Sequence, residues 1–238
     1  MTEALFFILA FISEVAGTVI GFGSSAIFLP LALLFVDFKT ALVLVAFLHI
    51  FGNIGRITFF RHRIDKRLIY IFGIPSVALT IPGALLVNHI PQEILKAVLG
   101  LFFLLFAAIS LVRPALKFPA NKPNAIIGGG LSGFLAGLIG TGGALRGAFL
   151  TAFGLEKGVY LATAAAIALA VDITRIPIYF AGGFLEQKYY AYIPVLFVLA
   201  IAGSYIGKKV VNKIPQKIFR NIVLVVLAII GLKFMSGY

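Results

Sequence analysis

The chain is written as a succession of long apolar runs separated by short polar or basic breaks, and that pattern constrains its fold more than anything else in it. About 20 consecutive apolar residues suffice to carry a helix across a bilayer's hydrocarbon. Runs of this kind cover Thr40–Phe60, Leu68–Asn88, Ile94–Val112, Val159–Ala181, Tyr190–Val211 and Phe219–Phe234. Two further segments, Ala4–Val36 and Ala125–Phe153, are too long for one upright crossing and too short for two. Glycines interrupt both: Gly17, Gly21 and Gly23 in the first, Gly137 to Gly143 in the second. Each is expected to form two half-helices around a break. Unwound backbone at membrane depth persists only against protein or a polar cavity, because lipid offers it no hydrogen bonds.

Composition supports this reading. Hydrophobic residues make up 61% of the chain, charged residues 12%, and the mean hydropathy is +1.11. A soluble domain holds about 45–50% apolar and about 25% charged residues. The runs lack the period-2 alternation of a membrane β-barrel. The expected fold class is an all-α polytopic membrane protein with a single transmembrane domain over residues 1–238. The net charge of +12 sits in the breaks between runs, as cytoplasmic loops require, so no nucleic-acid partner is implied. Without cysteine there is no disulfide, thiolate metal site or thiol catalysis. Met1-Thr2-Glu3 supplies no positive n-region, so the first run is read as retained. His49, His62 and His89 form no metal spacing, and no P-loop is present. Neither a metal nor a cofactor is expected, and ATP hydrolysis by this chain is excluded.

The chain repeats itself. Gly21-Phe22-Gly23 matches Gly140-Thr141-Gly142 at an offset of 119. The same offset joins Asn53 to Asp172, Arg56 to Arg175, and Ile74-Pro75 to Ile193-Pro194. After a slip of about one turn, Asn88-His89-Ile90-Pro91-Gln92 matches Asn212-Lys213-Ile214-Pro215-Gln216. The chain therefore divides into repeat 1, residues 1–118, and repeat 2, residues 119–238. Loop charge bears on their orientation. If all eight segments crossed, the loop with Lys208, Lys209, Lys213, Lys217 and Arg220 would lie opposite the one with Arg61, Arg63, Lys66 and Arg67. If the two glycine-broken segments are re-entrant instead, those loops and the Arg113/Lys117/Lys122 linker share one side. Loop charge thus favours inverted repeats.

The paired motif, Gly21-Phe22-Gly23-Ser24 running to Pro30-Leu31 and repeated at Gly140-Thr141-Gly142-Gly143, resembles the TauE/SafE sulfite-exporter family, also called the toluenesulfonate uptake permeases. The resemblance covers nearly the whole chain. It implies a secondary transporter in the cell (inner) membrane for small sulfur-containing or organic anions such as sulfite, sulfoacetate or sulfonates. Two departures leave the substrate open: Ser24 and Ser25 stand where the family continues with glycine, and Arg146-Gly147-Ala148 stands where an apolar residue and proline are usual.

A site follows from the breaks. In inverted-repeat transporters, half-helix N-termini point their positive ends at anionic substrate near the midplane. Gly21, Gly23, Ser24 and Ser25, with Gly140, Thr141, Gly142 and Gly143, are the expected cradle. The alternative for the glycines is close helix packing. Arg146, one turn past the second break, offers a planar fork to a sulfonate or carboxylate unless it snorkels to the interface. Asn53 with Arg56, and Asp172 with Arg175, are expected to form two polar rims around the site, with Asn53, Asp172 and Arg175 as its binding residues. Alternatively, Asp172 pairs with Arg175 and Arg56 lies at the interface near Arg61. Glu14 and Asp172 are the candidates for a coupling proton, with an interfacial Glu14 as the alternative. His49 is read equally as a site neighbour or a packing residue. A passive anion channel shares these features. An intramembrane hydrolase with Ser24 or Ser25 as nucleophile and His49 as base is the distant third, so the chain is not read as an enzyme. Expected partners are a small anionic substrate and the lipid bilayer, with homodimerisation left open.

Overall fold

The computed structural model describes residues 2–60, 64–113, 118–211, 213 and 216–236. Arg61, His62, Arg63, Lys117, Asn212, Ile214 and Pro215, which entered the loop-charge and repeat arguments, lie outside the described residues, as does the side chain of Lys217. Among the described residues every regular element is helical.

Ten helical units follow one another: α1 (Thr2–Ile20), α2 (Ser25–Ala32), α3 (Phe38–Phe60), α4 (Lys66–His89), α5 (Gln92–Val112), α6 (Lys122–Ile139), α7 (Gly143–Leu150), α8 (Lys157–Ala181), α9 (Tyr192–Val210) and α10 (Gln216–Met235). Within α4, a π-helical turn at Ile69–Gly73 precedes Pro75. Proline lacks an N–H and its ring crowds the preceding turn, and a wider turn there absorbs both defects. Asn121 starts α6 by accepting the backbone N–H of Asn124 at 2.9 Å.

Among the described residues, six segments are long and apolar enough to cross a membrane: α1, α3, α4, α5, α8 and the stretch Gln187–Val210 that contains α9. Five of them coincide with expected runs. The sixth, α1, is the longer part of Ala4–Val36. Ala4–Val36 and Ala125–Phe153 each hold a helix of 18 or 19 residues followed by one of eight. At about 1.5 Å per residue, α1 alone is nearly as long as the hydrocarbon is thick. The breaks are narrower than expected, because Gly17 lies inside α1 and Gly137 inside α6.

Each short helix folds back along the long one before it. The ring of Phe6, early in α1, packs on Phe28 of α2 and on Phe35 just beyond it, at 5.2 and 5.8 Å between centroids. In the other hairpin, Phe149 of α7 lies against Gly128 of α6 and stacks on Phe118 at 3.9 Å. Helices α4 and α6 run side by side in the same direction at very close range. A Cβ on Gly129, Gly133 or Gly137 would fall on the carbonyl oxygens of Phe72, Ser76 and Thr80 respectively. Glycine every fourth residue gives the flat stripe such an approach needs. These three glycines therefore serve helix packing.

Helices α3 and α8 cross the middle of the molecule, with 14 of 23 residues buried in α3 and 12 of 25 in α8. The outer helices α5, α9 and α10 present exposed Leu101, Leu105, Val198 and Ile229. Basic residues gather at one end, where Lys208 Nζ donates to the carbonyl of Phe59 at 2.6 Å and the Asp65 N–H donates to Thr163 Oγ1 at 2.9 Å. At the opposite end the Tyr192 hydroxyl donates to Glu3 at 2.8 Å, and Lys39 donates to Asn88 Oδ1 at 3.0 Å.

Candidate functional site

The two breaks meet at the centre of the bundle. Gly21 and Gly23 hold left-handed backbone, with φ of +84° and +87°, and Gly140 does the same at +75°. That conformation lets α1 end at Ile20 and α2 start five residues later in the reverse sense. The contact between breaks is direct. A Cβ on Gly143 would overlap the Phe22 carbonyl, and the Ser25 hydroxyl lies 3.5 Å from that of Thr141. Both α2 and α7 begin here without a side-chain cap, so first-turn N–H groups of each lack an intrahelical acceptor.

Two buried ion pairs flank the meeting point. In the first half, Arg56 donates from Nη2 to Glu14 Oε1 at 2.5 Å, from Nε to Thr18 Oγ1 at 3.1 Å, and from Nη1 to Asn53 Oδ1 at 2.5 Å. In the second, Arg175 meets Asp172 Oδ1 through Nε at 3.0 Å and Nη2 at 2.7 Å, and its Nη1 donates to the Ala136 carbonyl at 2.6 Å. The Tyr179 hydroxyl donates to the Gly137 carbonyl at 2.6 Å. Each core-helix arginine thereby holds the long helix of its own half within about two turns of the break. Between the pairs, the other Asp172 oxygen, Oδ2, is 2.8 Å from His49 Nδ1 and 3.4 Å from Asn53 Nδ2. Asn53 and Asp172, equivalent positions of the repeat, therefore touch.

Arg146 differs from these two arginines. It is only 5% exposed, and among the described residues it makes no direct ion pair; the carboxylate across the cavity from it, Asp172, is already bonded to Arg175 and His49. It lines two small cavities, each with room for about one water molecule. One is bounded by Gly21, Gly23, Asn53 and Arg56; the other by Ser25, His49, Gly142, Gly143, Asp172 and Arg175. A larger cavity of ≈ 350 Å³ lies toward the basic end, lined by Phe22, Lys157, Tyr160, Leu161 and Arg220 among others. Tyr160 and Leu161 form the wall between it and the centre, and the Tyr160 hydroxyl donates to the Gly21 carbonyl at 3.2 Å.

The candidate residues converge on this region except Glu14, which stands one helix pair away behind Arg56, and Ser24, which lines neither small cavity and whose buried hydroxyl has no hydrogen-bond partner among the described residues. The interfacial alternatives for Glu14, Arg56 and Arg146 do not hold, because all three side chains are buried. The pairing of Asp172 with Arg175 does occur. Thr18, Tyr160 and Tyr179 are not among the expected residues, and the sequence leaves His49 and Arg56 each between a place at the site and an alternative. His49, Asn53 and Arg56 are spaced four and three apart, one face of a helix, and that spacing was the available signal. Among the described residues no group of three His, Asp or Glu side chains is placed to hold a metal ion.

No curated protein and no solved structure matches the chain. A family model does, over residues 5–234, a range that includes both hairpins and the crossing helices between them. That span runs through every element of the buried centre, and by it the chain belongs to the sulfite exporter TauE/SafE family.

Proposed function

We propose that this multi-pass membrane protein is a secondary transporter that binds one small anion, such as sulfite or a sulfonate, at Arg146 between the two breaks. The carrying observation is the buried charge of the centre. Glu14 pairs with Arg56 and Asp172 with Arg175, which leaves three buried arginines to two carboxylates and Arg146 as the one with no direct ion pair. A lone buried charge is strongly disfavoured unless something pairs with it. An oxyanion supplies that pair, and the open N–H groups at the starts of α2 and α7 add donors with favourable dipoles. The guanidinium fork matches the planar edge of a sulfonate or carboxylate.

The halves are read as inverted repeats. The α1/α2 hairpin starts and returns at the end with Glu3 and Tyr192, and the α6/α7 hairpin at the basic end with Phe118. Basic residues mark the cytoplasmic side of the cell membrane. The ≈ 350 Å³ cavity then opens toward the cytoplasm, and Tyr160 and Leu161 close the site off from it. With room for little more than a water, the centre is occluded, and an anion enters when the hairpins shift against α3 and α8. Alternating access of this kind arises when one repeat rocks against the other.

The test is uptake of sulfite and methanesulfonate by proteoliposomes containing wild-type protein or Arg146→Ala. Loss of one charge-assisted contact set weakens binding about tenfold to about a hundredfold. Wild-type transport in an Arg146→Ala variant that elutes as monodisperse protein would sink the proposal. Uptake that rises linearly with concentration, without saturation, would replace the transporter with a channel.

A further inference from the structure

His49 stands out among the buried groups for what each ring nitrogen faces. Nδ1 is 2.8 Å from Asp172 Oδ2. Nε2 is buried with no partner and points at the first break, where a Cβ on Gly23 would land on it. The ring lines the same small cavity as Arg146, Ser25 and the start of α7. A carboxylate on Nδ1 fixes the tautomer, since Nδ1 must carry the hydrogen that Asp172 accepts. A neutral His49 thus shows the cavity a lone pair at Nε2, which repels an anion. A protonated His49 shows it an N–H.

From this geometry we infer that His49 is the proton-coupling residue, taking up one proton at Nε2 for each anion bound beside Arg146. The inference rests on the anion site at Arg146 proposed above. In the step itself, a proton from water bonds to Nε2, the imidazole becomes a cation, and the arriving anion accepts the new N–H while its charge offsets the added one. On release the Nε2–H bond breaks, and proton and anion leave to the same side. Charges from every packed element bear on this ring. Asp172, itself bonded to Arg175, faces it from α8, and Arg146 faces it from α7. Arg56 lies along its own helix and is held by Glu14 of α1. Arg146 and Arg56 oppose a positive charge on the ring and Asp172, shared with Arg175 and Asn53, favours it; an arriving anion tips that balance, so proton uptake is coupled to anion binding. Glu14 and Asp172, the carboxylates expected to carry the proton, each already have an arginine partner. Asp172 already uses both oxygens, and Glu14, whose Oε2 has no partner among the described residues, stands behind Arg56 away from the cavity, so the coupling role falls to His49.

The test is calorimetric binding of methanesulfonate, whose charge stays fixed, to the purified full-length protein in buffers of different ionisation enthalpy. Wild-type protein is expected to take up close to one proton per anion. Its affinity should weaken about tenfold per pH unit over the upper part of a range from about pH 5.5 to about pH 8.5. In His49→Gln, whose side-chain amide keeps a donor, binding persists with no proton uptake and a flat pH profile. A flat wild-type profile overturns the inference without any variant, and so does wild-type proton uptake in His49→Gln. Undiminished binding by Arg146→Ala, or no binding of methanesulfonate and sulfite by the wild-type protein, overturns the anion site at Arg146 and the inference with it.

Discussion

The two halves of the molecule share a scaffold and differ in charge. At the repeat offset, Asn53 corresponds to Asp172 and Arg56 to Arg175, and in both halves the arginine anchors a long hairpin helix. The anchors differ in kind. Arg56 reaches the Glu14 side chain, whereas Arg175 reaches the Ala136 backbone and takes its carboxylate from its own helix, three residues back. The position equivalent to Glu14 is Gly133, packed on the Ser76 carbonyl with no room for a side chain. Arg146 corresponds to Ile27, and His49 to Ala168. The arginines matched at that offset each belong to one buried ion pair, whereas Glu14, His49 and Arg146 have no counterpart of their own kind.

The largest effect should come from the carboxylate that serves most partners. Asp172→Ala strands Arg175 and removes the acceptor for His49 Nδ1 and Asn53. Breaking a buried pair in this way costs about 3–5 kcal/mol. Glu14→Ala leaves Arg56 with Asn53 Oδ1 and Thr18 Oγ1 and should cost less. Thermal unfolding of the two variants in one detergent measures the difference. A greater loss in Glu14→Ala would mean that the first hairpin, not the crossing of α3 and α8, is the stronger anchor.

Arg146 should behave oppositely to its neighbours. With no direct ion pair in the anion-free protein, its removal relieves an excess buried positive charge, whereas Arg56→Ala leaves Glu14 without its partner. The melting temperature should hold or rise for Arg146→Ala and fall for Arg56→Ala, by about 2–4 °C for each kcal/mol lost in a chain of this size. Added sulfite should raise it further only where Arg146 remains, because ligand binding stabilises by mass action. Equal falls in the two variants would place an internal partner on Arg146.

Much of the frame was legible in the chain because membrane helices advertise themselves by length and apolarity, and because the polar-x-x-Arg pair recurs at a constant offset. The hairpins were only half legible. Gly17 and Gly137 look like part of a break, yet they lie inside helices because neighbouring backbone presses on them: Ser24 for Gly17, and Thr80 for Gly137. Glycine composition alone does not separate a turn from a close approach. The pairing of Glu14 with Arg56, 42 residues away, was not legible at all. Each residue looked interfacial by itself, and only their meeting makes burial tolerable. His49 was underrated for the same reason, since its partner comes from the other half of the chain.

The smallest expected effect concerns the tips of the hairpins. The first tip is tied to α8 by a single neutral bond, from the Tyr160 hydroxyl to the Gly21 carbonyl at 3.2 Å, beside the cavity on the basic side. Such a bond is worth about 0.5–1.5 kcal/mol net, so Tyr160→Phe should speed opening of the site toward that cavity about two- to tenfold. The absence of cysteine from the chain makes this measurable, because Ser25→Cys would then carry the sole thiol, buried at the meeting of the breaks. A membrane-impermeant thiol reagent applied from the basic side should label it faster in the Tyr160→Phe background. Applied from the opposite side, it should show no such gain, because the Tyr160 hydroxyl stands between the centre and the basic-end cavity only. Equal acceleration from both sides would mean that the tip bond steadies the whole centre and not one gate, and the two hairpins would then move as a unit.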